Sequence, residues 1–319
     1  MSVTQRPKGI TDLSVLNLVS NRDARFYQQQ TKVLTRQGVE CTTSTPPGDH
    51  FTDGDVDRKP LDYVRYFPKV VRESFSGYDL VHANYGLTAP MALAQARLPV
   101  VLSLWGSDLM GEYGWLSKRC AHHCDAVIVM SDEMARELGE PCYVIPHGID
   151  TERFAPRPTA EARAQVGWDP DARHVLFPYP TTHEVKDHPR AMKIVERANE
   201  QVGPDVELQV VSGVAHAEVP TYMNAADALL LTSRREGSPN SVKEAMSCNL
   251  PVVSTDVGDV RERMDGVSPA TVSDDDDDLV DGLVDVLEEP RHSNGREAVR
   301  DISLERMGER IRGVYETVL

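Results

Sequence analysis

The stretch 235–246, REGSPNSVKEAM, sets two glutamates, Glu236 and Glu244, on either side of seven residues that open a helix. Ser238 is expected to cap that helix by accepting a hydrogen bond from an orphan amide, and Pro239 suits the first helical position, where its missing N–H costs nothing. At ~100° per residue, Glu244 lies between one and two turns inside and can turn to the side of the loop that carries Glu236. Both carboxylates then border the positive end of the helix. A pyrophosphate could rest on the amides of Asn240 and Ser241 while the carboxylates accept bonds from hydroxyls beside it. Phosphate next to polyol describes a sugar nucleotide. Two glutamates alone would equally suit a solvated helix face, so the surroundings matter. ADALLLTS leads into the stretch and NLPVVSTDVGD follows it. The unit is therefore strand, loop, helix, proline, strand, glycine loop: a βαβ crossover with its polar residues at the carboxyl ends of the strands, where open α/β sheets bind ligands.

The same alternation runs outward in both directions. SVLNLVS reads as a buried strand, RDARFYQQQTKVLTRQG as a helix ending at Gly38, and VECTTS as a second strand. A looser stretch from Pro46 to Pro60 is followed by YDLVHANYG, PVVLSLWGSD, DAVIVMSD and CYVIPHGID, short β-rich runs that end in polar or glycine residues. After the proline-rich TERFAPRPTAEARAQVGWDPDA the pattern restarts with HVLFPYP, VELQVVSG, DALLLTS and PVVSTD. The predicted fold is α/β, with two Rossmann-like domains of parallel sheet facing a central cleft. Residues 1–158 form the first and 170–300 the second. The amphipathic helix in 301–319 is expected to pack back on the first.

Composition narrows the function. The chain has 319 residues and a net charge of −16, which argues against nucleic acid as a partner, because phosphate backbones demand clustered Lys and Arg. A nucleotide needs only one local cation. No apolar run approaches the ~20 residues of a membrane span, so a soluble, cytoplasmic protein is expected. The acidity also suits a high-salt cytoplasm, in which a dense carboxylate surface stays soluble. Five cysteines without regular spacing make no disulfide framework. Cys120, His122, His123 and Cys124 invite a zinc reading, but a helix packed before a buried strand explains them more simply. His183 and His188 are five apart, which breaks the metalloprotease spacing. The run Asp274–Asp278 is expected to be the acidic first turn of a helix rather than a cation site.

EGSPNSVKEAMSCNLPVVSTDVGDVRE resembles the E-x7-E region of the retaining glycosyltransferases of family 4, which have the two-domain GT-B fold. YDLVHANYG, PVVLSLWGSD, DAVIVMSDEM, VIPHGIDTERFAP, KDHPRAM and EVPTYMNAADALLLTS follow in family order over nearly the whole chain. The resemblance implies transfer of a hexose-type sugar from a nucleoside-diphosphate sugar to a glycan, glycolipid or polysaccharide acceptor, with retention of configuration and no metal or other cofactor. By the same resemblance Glu236 contacts sugar hydroxyls, Glu244 binds the ribose, Lys186 neutralises the departing pyrophosphate, and the amides from Gly237 through Ser238 and Asn240 to Ser241 complete the diphosphate site. Base recognition is expected in the loop around Ser212 to Val214, with uridine and guanosine both open.

Three stretches depart from the family pattern. The loop after the first strand, SNRDARF, has no glycine, though Asn21 or Asp23 could cap the helix that follows; Arg25 and Phe26 here are acceptor-side candidates. Trp105 stands in LWGSD where relatives carry a histidine, whose part would pass to Asp108 or His82, while Trp105 offers an apolar platform for a sugar ring. His183 stands where relatives place an arginine and, when protonated, would assist the phosphate. Lipid-linked acceptors would bring transient membrane contact, and Arg22, Arg25, Lys32 and Arg36 are candidates for a local basic patch, against an acidic composition that weakens a general electrostatic anchor. A nucleotide-sugar epimerase and a non-catalytic nucleotide-sugar-binding subunit share the same architecture and stay open as alternatives.

Overall fold

A computed structural model describes residues 13–47, 60–203 and 205–319, so all but the ends of the Pro46–Pro60 stretch lies outside the described residues. The chain divides into two units, Met1–Gly148 with Leu304–Leu319, and Ile149–Ser303.

Six strands build the sheet of the first unit: β1 (Leu13–Val19), β2 (Val39–Ser44), β3 (Leu80–Asn84), β4 (Val100–Ser103), β5 (Ala126–Val129) and β6 (Tyr143–Val144). They run parallel in the order β2-β1-β3-β4-β5-β6. Every residue of β3, β4 and β5 is buried, as expected of strands covered by helices on both faces. The chain winds outward from β1 in one direction to β2 and in the other to β3. The helix Leu304–Val318 completes this unit. It adds Met307, Ile311, Val314 and Tyr315 to the core, and the Tyr315 hydroxyl meets His82 Nδ1 at 2.7 Å.

The second unit has β7 (Arg173–Phe177), β8 (Val206–Val210), β9 (Ala228–Leu231), β10 (Val252–Ser254) and β11 (Ala270–Val272). They are parallel in the order β11-β10-β9-β7-β8. Alternation along these strands supplies two cores. Val175, Phe177, Ala228, Leu230 and Val253 pack with Ile194 and Ala198 of the helix His188–Val202 and with Leu279 and Leu283 of the helix Asp276–Glu288. Leu176, Leu229, Leu231 and Val252 face the other way, against Val242, Ala245 and Met246 of the helix Asn240–Ser247. One helix layer on each face is what a period of two demands when both faces are apolar. The connection after β7 leads to β8 on one side, and the connection after β9 leads to β10 on the other. The loops leaving β7 and β9 therefore diverge from neighbouring strands, which opens a crevice at their carboxyl ends.

The aspartate run starts a helix. Asp275 is the N-cap and accepts from the Asp277 amide at 2.7 Å, while Asp276, Asp277 and Asp278 fill the first turn. Arg190 and Arg197 pair with Asp276 and Asp277.

Candidate functional site

In the second unit, the two diverging loops are stitched to each other before any ligand is considered. The Arg234 amide donates to Val185 O at 2.9 Å, and Thr232 Oγ1 donates to the carbonyls of Lys186 (2.9 Å) and Asp187 (3.1 Å). Arg234 Nε reaches the Asp187 carboxylate at 2.9 Å. Asp187 adopts a left-handed φ of 52°, which ends the short turn Glu184–Lys186 and starts the helix His188–Val202. This fastening brings Lys186 Nζ to 2.5 Å from Glu236 Oε1, with the two side chains 11 % and 15 % exposed. The same ammonium lies 3.9 Å from the centre of the Tyr179 ring. The Tyr179 hydroxyl is bonded to Ser241 Oγ in the first turn of the Asn240 helix. Burial pushes the Tyr179 phenol up, and the Glu236 charge adds to it, so the ring stays neutral. His183 is exposed in the turn just before Lys186.

Glu244 sits on that helix with Oε1 2.9 Å from His216 Nε2. His216 lies in the loop that follows β8, two residues beyond Val214, and that loop turns at Gly213 with φ 73°. Ser238 does not cap the helix as expected. Pro239, rather than standing at the first helical position, is itself the N-cap residue, without a side-chain capping bond. Ser238 Oγ instead donates to Asp259 Oδ2 at 2.7 Å and accepts from Lys243 Nζ at 3.0 Å. Charged partners outcompete a neutral amide for one hydroxyl. Lys243 is fully buried, and burial pushes its pKa down to about 8 against the opposing pull of Asp259. Gly258 closes the base of this loop: with φ 59°, any Cβ there would stand 2.6 Å from Gly237 O. Ser233 Oγ and Asn240 Oδ1, which flank the Glu236 loop in sequence, are buried polar atoms without a hydrogen-bond partner. Such groups cost about 1–3 kcal/mol each until a polar partner reaches them.

In the first unit, the ends of β3 and β4 are held by one carboxylate. Asp108, 1 % exposed, accepts from the amides of Trp105 (2.8 Å) and Gly106 (2.9 Å) through Oδ1 and from Gly86 (2.8 Å) through Oδ2. Burial pushes its carboxyl pKa up while these amides pull it down. The clamp holds Tyr85 at φ 129°, a conformation that costs a non-glycine residue about 1–3 kcal/mol. His82 is wholly buried between the Tyr315 hydroxyl and Ser103 Oγ, each at 2.7 Å, and burial holds its pKa down at about 3. Both groups expected near the reacting sugar are thus fully engaged in the scaffold. Asn21 does not cap the helix Arg25–Arg36; its Oδ1 accepts from the Asp23 amide at 2.9 Å, and Ala24 occupies the N-cap. Phe26 and Trp105 meet edge to face with centroids 4.5 Å apart, His147 stacks on Phe26 at 4.5 Å, and Tyr85 lies 6.0 Å from Trp105. Arg25 is exposed beside them in sequence.

Among the described residues no group of three or more His, Cys, Asp or Glu is arranged to hold a metal, and no helix is long and apolar enough to cross a membrane. Cys120 and Cys124 are linked through the Cys120 carbonyl at 3.3 Å, and burial pushes the Cys124 thiol up to about 12. Tyr179, His216, Lys243 and Asp259 escaped the reading of the sequence. Tyr179 ends HVLFPYP and Lys243 lies inside REGSPNSVKEAM, so position could have flagged both. Nothing local marks His216.

Two parallel, doubly wound units define the chain as a protein of the GT-B fold. It is related to the glycosyltransferases of family 4: the family model described as Glycosyltransferase Family 4 matches residues 24–153, and the one described as Glycosyl transferases group 1 matches 186–289. TuaC of Bacillus subtilis, named for teichuronic acid biosynthesis, is 28 % identical over 211 residues, 57 % of this chain and 54 % of that protein. The lipopolysaccharide core biosynthesis mannosyltransferase LpsB of Rhizobium meliloti is 29 % identical over 245 residues, 65 % of this chain and 69 % of its own. The match therefore spans about half of the first relative and about two thirds of the second. Among solved structures, sucrose-phosphate synthase from Thermosynechococcus elongatus has a TM-score of 0.72 at 18 % identity, covering 96 % of this chain and 99 % of that one.

Proposed function

We propose that the protein is a retaining, metal-independent glycosyltransferase that moves a hexose-type sugar from a nucleoside-diphosphate sugar to a glycan, glycolipid or polysaccharide acceptor. The observation that carries this reading is the convergence of Lys186, Glu236 and the start of the Asn240 helix where the β7 and β9 loops diverge. A diphosphate needs a cation and aligned amides, and a pyranose needs a carboxylate beside them; this corner supplies all three. Relatedness to family 4, and the naming of LpsB as a mannosyltransferase, support the reaction class and a hexose donor.

In the proposed reaction the bond between the anomeric carbon and the β-phosphate oxygen breaks, and the acceptor oxygen bonds to that carbon from the same face. The acceptor proton passes to the leaving phosphate. Lys186 leaves Glu236 for the phosphate and stabilises the charge that develops there, which is where fixed electrostatics contribute most. Glu236, released, accepts from the sugar hydroxyls. Glu244 accepts from the ribose, and the loop holding Val214 lies beside the base. Asp108 acts as a positioning residue that fixes the loops of Trp105 and Tyr85 on the acceptor side, and the aromatic group of Phe26, Trp105 and Tyr85 offers sugar rings an apolar face.

The test is a screen of uridine and guanosine diphosphate hexoses for nucleoside diphosphate release with glycan and lipid-linked acceptors. Acceptor-dependent release that disappears in Glu236→Ala and Lys186→Ala supports the proposal. Conversion of the donor to its epimer without acceptor would establish an epimerase, and tight donor binding with no release would establish a binding subunit.

A further inference from the structure

The second carboxylate of the E-x7-E stretch does not stand alone. Glu244 Oε1 is 2.9 Å from His216 Nε2, and the other ring nitrogen, Nδ1, is 3.4 Å from an amino group of Arg153. Arginine carries only donors and stays protonated, so Nδ1 must be the acceptor of that bond. The neutral ring then has its hydrogen on Nε2, which donates to Glu244. Arg153 is anchored in turn: its amide donates to Asp150 Oδ1 at 3.0 Å, and its Nε lies 3.9 Å from Asp150 Oδ2. Phe154, 1 % exposed, packs beside the imidazole, its ring tilted by 53° with centroids 5.3 Å apart. The chain Asp150, Arg153, His216, Glu244 thus fixes one tautomer and spends it on one carboxylate oxygen.

A carboxylate on a helix turns about its last bond and presents either edge. A donor fixed to Oε1 removes that freedom and leaves Oε2 as the acceptor with a defined direction. We propose that His216, held in its Nε2–H form by Arg153, is a positioning residue that aims Glu244 at the ribose hydroxyls of the nucleotide, and that this pair sets the preference for ribonucleotides over 2′-deoxyribonucleotides. The proposal rests on the reading of Glu244 as the ribose contact. It adds residues outside the E-x7-E stretch, reached through a loop 28 positions away in the chain.

The contribution is measurable because a bond to a charged acceptor is worth about tenfold or more in affinity when it is well aimed. Calorimetric titration of the full-length protein with UDP and GDP identifies the tighter ribonucleotide, and its 2′-deoxy counterpart is titrated beside it. The wild-type protein is expected to prefer the ribonucleotide by about tenfold. Glu244→Ala abolishes that preference. His216→Ala cuts it at least about threefold, by weakening the ribonucleotide more than the 2′-deoxy compound, as the loss of aim at the 2′-hydroxyl requires. His216→Gln, whose amide can still donate from near the position of Nε2, restores most of it. Arg153→Met, at a side chain that is 43 % exposed and so can be changed without threatening the fold, reduces the preference in the same direction.

The outcomes separate the two claims. A preference lost in Glu244→Ala but intact in both His216→Ala and Arg153→Met overturns the positioning role and leaves the ribose contact standing. A preference absent from the wild type, or intact in Glu244→Ala, overturns the ribose contact and the proposal with it. If His216→Ala does not fold, the Arg153→Met and His216→Gln titrations decide: the wild-type preference in Arg153→Met contradicts the proposal.

Discussion

The sheet of the second unit and the sheet of the first use the same point of their topology in opposite ways. Where β7 and β9 part, the structure concentrates charge: Lys186 on Glu236, His216 on Glu244, and buried Lys243 with Asp259 beneath Ser238. Where β1 and β3 part, it gathers aromatic rings, and a buried carboxylate there, Asp108, accepts from three backbone amides. A paired lysine and glutamate can exchange partners for a phosphate and a hydroxyl. A carboxylate that accepts from three amides is held in place by them. The difference teaches that residue type at a strand end does not establish a role; what the side chain already holds does.

The largest effect expected from this contrast is at the charged corner. Lys186→Ala should lower kcat for sugar transfer on the order of 10²- to 10³-fold, the cost of removing one fixed charge from a developing anion, as measured by nucleoside diphosphate release. Retention of wild-type turnover would break the comparison outright.

A smaller loss is expected from the backbone beneath it. Gly258→Ala forces a side chain to within 2.6 Å of Gly237 O at a left-handed φ. The variant should lose about 1–2 kcal/mol in denaturant unfolding, and the displaced Glu236 loop should cost about tenfold in kcat.

At the aromatic corner the expectation is a change in acceptor handling alone. Trp105→Ala should raise the acceptor KM about fivefold, within the range of one ring contact, and leave the donor KM unchanged. A shift confined to the donor would move Trp105 to the other half of the comparison.

The remaining effect is on stability in acid. His82 has a folded pKa of about 3, against ~6.5 in an unfolded chain. Between those values the unfolded state binds more protons, so stability is full above pH ~6.5 and falls with acidification by at most about 1.4 kcal/mol per pH unit. His82→Gln should melt lower at neutral pH yet show a shallower acid slope than wild type. An unchanged slope would mean that His82 is not the buried neutral group described above.

The fold was legible because apolar runs of four to seven residues recur between helix signals, and both sheets bury such runs on two faces. REGSPNSVKEAM was legible as the loop and helix between two strands for the same reason. Its finer chemistry was not. Ser238 read as a cap because propensity knows nothing of Asp259, 21 residues on, or of the buried Lys243. Tyr179 and Ser241 are 62 positions apart, and His216 and Glu244 are 28 apart. Those contacts exist only once the strand order places three loops side by side. Asp108 and His82 were ambiguous because a buried group and a reacting group look alike until their partners are seen.

Calorimetric titration of the donor's nucleoside diphosphate into the wild type, Lys186→Ala and Trp105→Ala tests the contrast between the two corners most directly. The account predicts that Lys186→Ala weakens binding about tenfold or more, while Trp105→Ala binds as the wild type does. Binding that survives in Lys186→Ala and is lost in Trp105→Ala would contradict it.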